Sequence, residues 1–278
     1  MREFLIFQSL WAMLDHRGQC DLPLEAQLDK IAAAGFDGFT DHFWVPEHVG
    51  RLSSAAKARG LQIEGQLFPR SVDDLARAID VISNHGCHHL TLQADVRPRT
   101  LRQAIELIEG WQRLAEQADF PILLETHRYR ITSDLLFTLD ILAEMPDLKL
   151  LADLSHYVVG RELPLPADKE DQEHLQTILR HSWGFHGRVA SSEQVQIPIS
   201  FAQHQPWLDY FLELWRYGIQ DWLKRPIGEN ASLSFTCELG PPPYAITGAD
   251  GRDITDRWAE ALLLKQLIGE VWQACQPR

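Results

Sequence analysis

Four residues, at the ends of the last four strand-length apolar runs, stand where the surrounding sequence should still be apolar. Pro121-Ile-Leu-Leu ends in Glu125, Leu148-Lys-Leu-Leu-Ala ends in Asp153, Gly184-Phe leads to His186, and Leu233-Ser-Phe-Thr-Cys ends in Glu238. Three carboxylates gathered in one pocket cannot all stay ionised without a compensating cation, because like charges at close range raise each other's pKa. A divalent metal resolves the conflict. Three carboxylates and one imidazole make a mostly hard ligand set that suits one Mn²⁺, Mg²⁺ or Co²⁺ ion, with Zn²⁺ also compatible, and Mn²⁺ is favoured. Taken singly, each residue reads equally well as a strand-end polar group satisfied by its neighbours. The metal reading rests on the four together, and therefore on a fold that makes them converge.

Strand-length apolar runs alternate with helical periodicity along the whole chain. The candidate strands are Glu3–Ala12, Phe36–Phe43, Gln62–Phe68, His88–Ala94, Pro121–His127, Leu148–His156, Gly184–Val189 and Leu233–Leu239. Between them, Thr100–Asp119 is the clearest helix: Leu101, Ala104, Ile105, Ile108, Trp111, Ala115 and Ala118 form one apolar face at i, i+3, i+4 spacing. Ser71 and Ser133 precede acidic first turns and read as N-caps, while Gly35, Gly60 and Gly86 sit where a helix ends and a strand follows. Eight βα units without a linker predict an α/β protein, a single (β/α)8 TIM barrel spanning residues 1–278. A doubly wound sheet is the second choice, weakened by the absence of GxGxxG after the first strand and of a GxxxxGK[ST] loop. In a barrel, strand C-termini build the active site, so Glu125, Asp153, His186 and Glu238 from four successive strands would meet near its axis. Ser191–Gln205 lacks strong periodicity and is a candidate lid.

The 278 residues include 26 basic and 39 acidic side chains, a net charge of −13. Such a surface repels phosphate backbones and anionic headgroups, which argues against nucleic acid and membranes as partners. With 45% hydrophobic and 23% charged residues the composition is that of a globular protein and excludes disorder as the main state. Cys20, Cys87, Cys237 and Cys275 show no CxxC spacing and read as free thiols in a reducing compartment. The N-terminal apolar run is broken by Gln8 and Ser9, lacks a small-residue cleavage site and reads as a first strand. The expected location is the cytoplasm. The Asn230-Ala-Ser232 sequon carries little meaning in that setting.

The chain resembles the xylose isomerase-like barrels, a family of sugar isomerases, keto-sugar 3-epimerases, hydroxypyruvate isomerase, inosose dehydratase and endonuclease IV. The carriers of the resemblance are Ala32-Ala-Ala-Gly-Phe-Asp-Gly38, Leu124-Glu125-Thr-His127, Asp153-Leu-Ser-His156, His186-Gly-Arg188 and Glu238-Leu-Gly-Pro-Pro-Pro-Tyr244. It implies that Glu125, Asp153, His186 and Glu238 hold the metal, and that Glu125 and Glu238 act as acid and base on opposite faces of a substrate. It also assigns His156 and Arg188 to substrate oxygens. The expected activity is metal-dependent isomerisation or epimerisation of a small sugar or related hydroxy-carbonyl compound, in which a proton beside the carbonyl is removed and the resulting enediolate is stabilised by the metal.

Other residues carry two readings. His42 closes the second strand and either contacts substrate or packs. Glu64 and Gln66 near the end of the third strand are pocket candidates. His127, two residues beyond Glu125, shares its face and suits a supporting role. Trp11 and Trp44, at or past strand ends, suit apolar pocket walls, and most other tryptophans suit the core. Arg188 either stabilises an anionic oxygen or pairs with an acid. A lyase that dehydrates an inosose- or shikimate-like substrate begins with the same proton abstraction, and a non-catalytic sugar-binding barrel shares the fold. An endonuclease reading conflicts with the −13 charge and with the lack of a histidine at Gln66-Leu-Phe68. The absence of a phosphate loop favours an unphosphorylated substrate. Homo-oligomer formation is left open, as is the meaning of the Pro241-Pro-Pro243-Tyr244 run.

Overall fold

A computed structural model describes residues 2–43 and 45–276; Trp44, one of the expected pocket walls, lies outside them. Eight parallel strands close in chain order: β1 Glu3–Ser9, β2 Gly38–His42, β3 Gln62–Leu67, β4 His89–Leu92, β5 Ile122–Glu125, β6 Leu150–Ala152, β7 Ser182–Gly187 and β8 Ser232–Cys237. β1 returns to β8 over six residue pairs, from Glu3 against Ser232 to Gln8 against Cys237, so no sheet edge is exposed. Helices α1 Leu24–Ala33, α2 Pro46–Lys57, α3 Val72–Ile82, α4 Leu101–Ala115, α5 Leu135–Glu144, α6 Ser155–Gly160, α7 Lys169–Arg180, α8 Gln205–Lys224 and α9 Arg257–Cys275 follow the strands. The fold is the single (β/α)8 barrel that the alternation of strand and helix patterns predicts. Among the described residues no helix is long and apolar enough to cross a membrane.

Local chemistry sets the element boundaries. Ser71 accepts the Asp74 amide and Thr100 the Gln103 amide at the starts of α3 and α4. At α5 the cap is Asp134, which accepts the Phe137 amide, instead of the expected Ser133, whose hydroxyl is engaged by the Tyr129 amide. Gly35, Gly60 and Gly86 adopt φ of +71°, +67° and +75°, the left-handed turn that releases the chain from α1, α2 and α3 into the next strand. Most strands are shorter than their apolar runs, and in β5 and β6 side chains set the end. Asp153 Oδ1 accepts the Ser155 amide and hydroxyl and bends the chain into α6, while Thr132 Oγ1 donates to the Glu125 carbonyl and accepts the His127 amide, ending β5 at Glu125.

The apolar core lies between strands and helices, where Leu28, Ile31, Phe39, Leu52, Phe211, Trp215 and Trp222 are fully buried. The barrel interior is polar instead. Glu64 on β3 accepts from Thr91 on the adjacent β4, and also from Thr236 on β8 and His186 on β7, which are not its neighbours. These side chains therefore cross the interior, where branched aliphatic residues ordinarily pack.

Candidate metal and substrate site

At the C-terminal end of the barrel the ends of β5, β6, β7 and β8 bring Glu125, Asp153, His186 and Glu238 together, each offering a ligand atom within 4.8 Å of the others. All four are buried, at 0%, 0%, 0% and 2% exposure. Both Glu125 carboxylate oxygens and His186 Nδ1 have no hydrogen-bond partner. Three buried carboxylates against a single imidazole are costly unless a cation or proton completes them, so these residues fit a divalent ion. Glu125 also stands within the same distance of ligand atoms on His127 and His156.

His186 is oriented from below. Its Nε2 lies 2.8 Å from Glu64 Oε1, which leaves Nδ1 toward Glu238 Oε2 at 3.2 Å and Glu125 Oε1 at 3.5 Å. Glu64 is itself held by the hydroxyls of Thr91 at 2.7 Å and Thr236 at 2.5 Å. A carboxylate behind an imidazole whose other nitrogen faces acids is the arrangement that fixes a ligating histidine's tautomer. Arg188 bridges the opposite side: Nε donates to Asp153 Oδ2 at 3.2 Å, Nη2 to Glu238 Oε2 at 2.5 Å and Nη1 to Gln196 Oε1 at 3.3 Å. Gln66 Nε2 donates to Glu238 Oε1 at 2.9 Å.

These contacts divide the charge unequally. Burial pushes Glu125 up to about 7, with Glu238 and Asp153 adding to the shift against the pull of His186. Burial also opposes ionisation of Glu238, but His186 and Arg188 outweigh it and hold this carboxyl at about 2. Asp153 is raised by burial against the opposing charge of Arg188. Burial disfavours the His186 cation too, yet Glu238, Glu64 and Glu125 keep its pKa well above the ordinary histidine value. Burial drives His127 down to about 3 and His156 well below its usual range, so both rings, 3.8 Å apart, are neutral near pH 7.

A cavity of about 210 Å³ opens above the acids. Glu238 and Arg188 form its charged floor, His42, Gln66, Gln93 and His127 its polar walls, and Trp11, Phe68 and Tyr244 its aromatic rim, with Arg130 at one side. A larger groove of about 620 Å³, between residues 12–22 and 252–258, contains none of the four acids. Of the residues singled out in the sequence, Trp11, His42, Gln66, His127, Arg188 and Glu238 line the cavity, whereas Glu125, Asp153 and His186 lie beneath it. His156 lies beside it, fully buried, with Nε2 3.5 Å from Asp153 Oδ2. Glu64 does not reach the cavity. Inward alternation places it correctly inside the barrel but two residues deeper than Gln66, beneath His186. Tyr244 stands edge-on to Trp11 at 5.0 Å and under the Arg188 guanidinium at 4.6 Å, which gives the Pro241–Tyr244 run a place in the site. Arg130, Gln93 and Gln196 escaped sequence reasoning, although Arg128-Tyr-Arg130 directly follows the Glu125–His127 pair. The expected lid is a packed cover: Gln196, Ile197 and Ile199 are buried, Gln196 ties Arg188 to the Gly240 carbonyl, and helical structure resumes at Ala202.

No protein-family model and no curated protein matches the sequence. Solved structures do match, over nearly the whole chain. One described as D-psicose 3-epimerase in the presence of D-fructose aligns at 11% identity with a TM-score of 0.63, covering 96% of this chain and 99% of its own. A xylose isomerase-like TIM barrel protein from Mycobacterium smegmatis in complex with magnesium aligns at 12% identity with a TM-score of 0.62, covering 98% of each chain. The probable 3-DHS dehydratase AsbF from Bacillus anthracis aligns at 16% identity with a TM-score of 0.58, covering 95% of this chain and 99% of its own. The chain shares the (β/α)8 barrel fold of these structures.

Proposed function

We propose that the protein is a divalent-metal-dependent isomerase or epimerase of a small sugar or related hydroxy-carbonyl compound. The observation that carries this reading is the buried convergence of Glu125, Asp153, His186 and Glu238, in which His186 Nδ1 faces the Glu125 and Glu238 carboxylates. These four residues would hold one ion, and the hard-ligand majority favours Mn²⁺. When bound, the ion supplies Lewis-acid polarisation of the substrate oxygens beside the carbon that loses its proton.

The chain's own groups do the rest. Glu238 lines the cavity and is kept ionised by Arg188 and Gln66, so it takes the proton from the carbon next to the carbonyl. Glu125, from the opposite side of the cluster, returns a proton to the other face. The Arg188 guanidinium stays beside the oxygen on which negative charge develops, preorganised by Asp153, Gln196 and the Tyr244 ring. His42, His127 and Gln93 orient substrate hydroxyls, and Trp11, Phe68 and Tyr244 exclude water. The cavity lies below the roughly 300–1,000 Å³ of pockets for drug-sized ligands, in keeping with a small substrate. Similarity to a structure described as D-psicose 3-epimerase supports a sugar-like substrate.

The test is Glu238→Gln in a deuterium-exchange assay with ketoses, aldoses and inososes in D₂O with Mn²⁺. Exchange is expected to fall to near zero while the circular dichroism spectrum stays native, the unfolding temperature falling because Arg188 and His186 lose a buried anionic partner. Full exchange in the variant would place the base elsewhere.

A further inference from the structure

The cavity mouth is electrically lopsided. The segments that follow β3, β4 and β5, residues 68–71, 93–100 and 126–133, hold five arginines (Arg70, Arg97, Arg99, Arg128 and Arg130) and a single carboxylate, Asp95. This occurs in a chain whose net charge is −13, and the segments after β1 and β8 have the opposite balance, with Asp15, Asp21, Glu238, Asp250, Asp253 and Asp256 against Arg17 and Arg252. Asp95 is shared by three of the arginines, at 2.8 Å from Arg70, 3.0 Å from Arg97 and 3.3 Å from Arg130. One acid cannot neutralise three guanidinium groups, and Arg128, set against Tyr244 and His156, adds a further cation with no acid partner among the described residues.

Arg130 converts this field into a site. It lines the cavity, its side chain is only 17% exposed, and it is fixed by Asp95, by the Tyr129 carbonyl and by the Phe68 ring 5.6 Å away. Its Nε–H is buried and has no acceptor. A recessed, prepositioned guanidinium on the cavity wall is built to receive an anion, since guanidinium groups pair with carboxylate and phosphate through charge-assisted hydrogen bonds.

We propose that the substrate carries an anionic group, a carboxylate or a phosphate, that docks on Arg130 at the β4–β5 side of the cavity. The inference rests on the reaction proposed above and narrows its substrates to acidic hydroxy-carbonyl compounds. The five-arginine field draws them in past an otherwise acidic surface. A small cavity and a recessed cation fit a small molecule rather than a nucleic-acid backbone.

Two measurements test this. Succinate and inorganic phosphate are titrated calorimetrically into the Mg²⁺-loaded protein, and exchange in D₂O is followed for a hydroxy-keto acid, a ketose phosphate and a neutral ketose of similar size. At least one anion is expected to bind wild type and at least tenfold more weakly to Arg130→Gln, and the better of the two shows whether carboxylate or phosphate is recognised. Lys57→Gln, the same charge change at the end of α2, should bind as wild type does. Substrates bearing the recognised anion should show at least a tenfold advantage in kcat/KM that Arg130→Gln removes through KM, with kcat nearly unchanged. If neutral ketoses exchange as efficiently as anionic ones and Arg130→Gln changes nothing, the anionic substituent is wrong while the proton-abstraction reading stands. Anion binding lost in Arg130→Gln, without exchange on any compound, keeps the anion site and removes the reaction. Displacement of succinate and phosphate by a duplex oligonucleotide would overturn the proposal in favour of nucleic acid.

Discussion

Glu125→Gln separates what the central carboxylate costs the fold from what it does for the site. In the metal-free protein Glu125 is fully buried, both its oxygens lack partners, and burial raises its pKa from 4.5 to about 7. Between these values the folded state binds more protons than the unfolded chain, so stability falls as pH rises through that window and stays low above it. With 4.5 unfolded and about 7 folded, the penalty is about 1 kcal/mol at pH 5 and about 3 kcal/mol at pH 8. An uncharged glutamine removes this pH dependence. Any cost of burying its amide is the same at every pH, so the diagnostic quantity is the change in the stability difference between variant and wild type. That difference should move by about 2 kcal/mol in favour of the variant from pH 5 to pH 8, or roughly 4 °C in Tm for a chain of this size. The assay is thermal or urea unfolding in EDTA at both pH values, repeated with Mn²⁺. Saturating Mn²⁺ at a hundred times its Kd should stabilise wild type by about 2.7 kcal/mol and the variant by far less. Parallel pH profiles in EDTA, together with equal Mn²⁺ stabilisation of both proteins, would refute the placement of Glu125 at the centre of a metal site.

Two further substitutions probe the groups around that centre. Glu64→Gln keeps the volume beneath His186 but removes the carboxylate that holds Nε2, and should weaken Mn²⁺ binding about 10- to 100-fold by calorimetry; an unchanged Kd would show that Glu64 does not orient His186. Arg188→Met leaves Asp153 and Glu238 buried without their shared cation, a loss of about 3–5 kcal/mol in urea unfolding with EDTA. Mn²⁺ should restore more stability to this variant than it adds to wild type, and an unaltered midpoint in EDTA would contradict the bridging role.

The barrel and its polar strand ends were legible because both are periodic. Glu125 with His127, His186 with Arg188, and Thr236 with Glu238 are two apart, and alternation alone turns each pair inward. Depth along a strand is not periodic. Glu64 and Gln66 share a face, yet one lies under His186 and the other lines the cavity. Loop residues were hidden for a different reason. Arg130 reaches the cavity because Asp95 and Tyr129 hold it there, Gln196 because it spans Arg188 and Gly240, and Tyr244 because the chain folds back over Trp11. These are contacts between segments far apart in sequence. The cap of α5 shows the same limit at short range: Ser133 and Asp134 are equally good N-caps by type, and the Tyr129 amide decides between them.

Metal-assisted removal of a proton beside a carbonyl is the central step of the proposed reaction. Deuterium incorporation from D₂O, measured by NMR for wild type across hydroxy-keto acids, ketose phosphates, ketoses, aldoses and inososes, tests it most directly. Exchange that requires Mn²⁺, disappears on chelation and returns when the ion is restored is the predicted result. No exchange into any compound with Mn²⁺ present, alongside ligand binding that is indifferent to chelation, would contradict it.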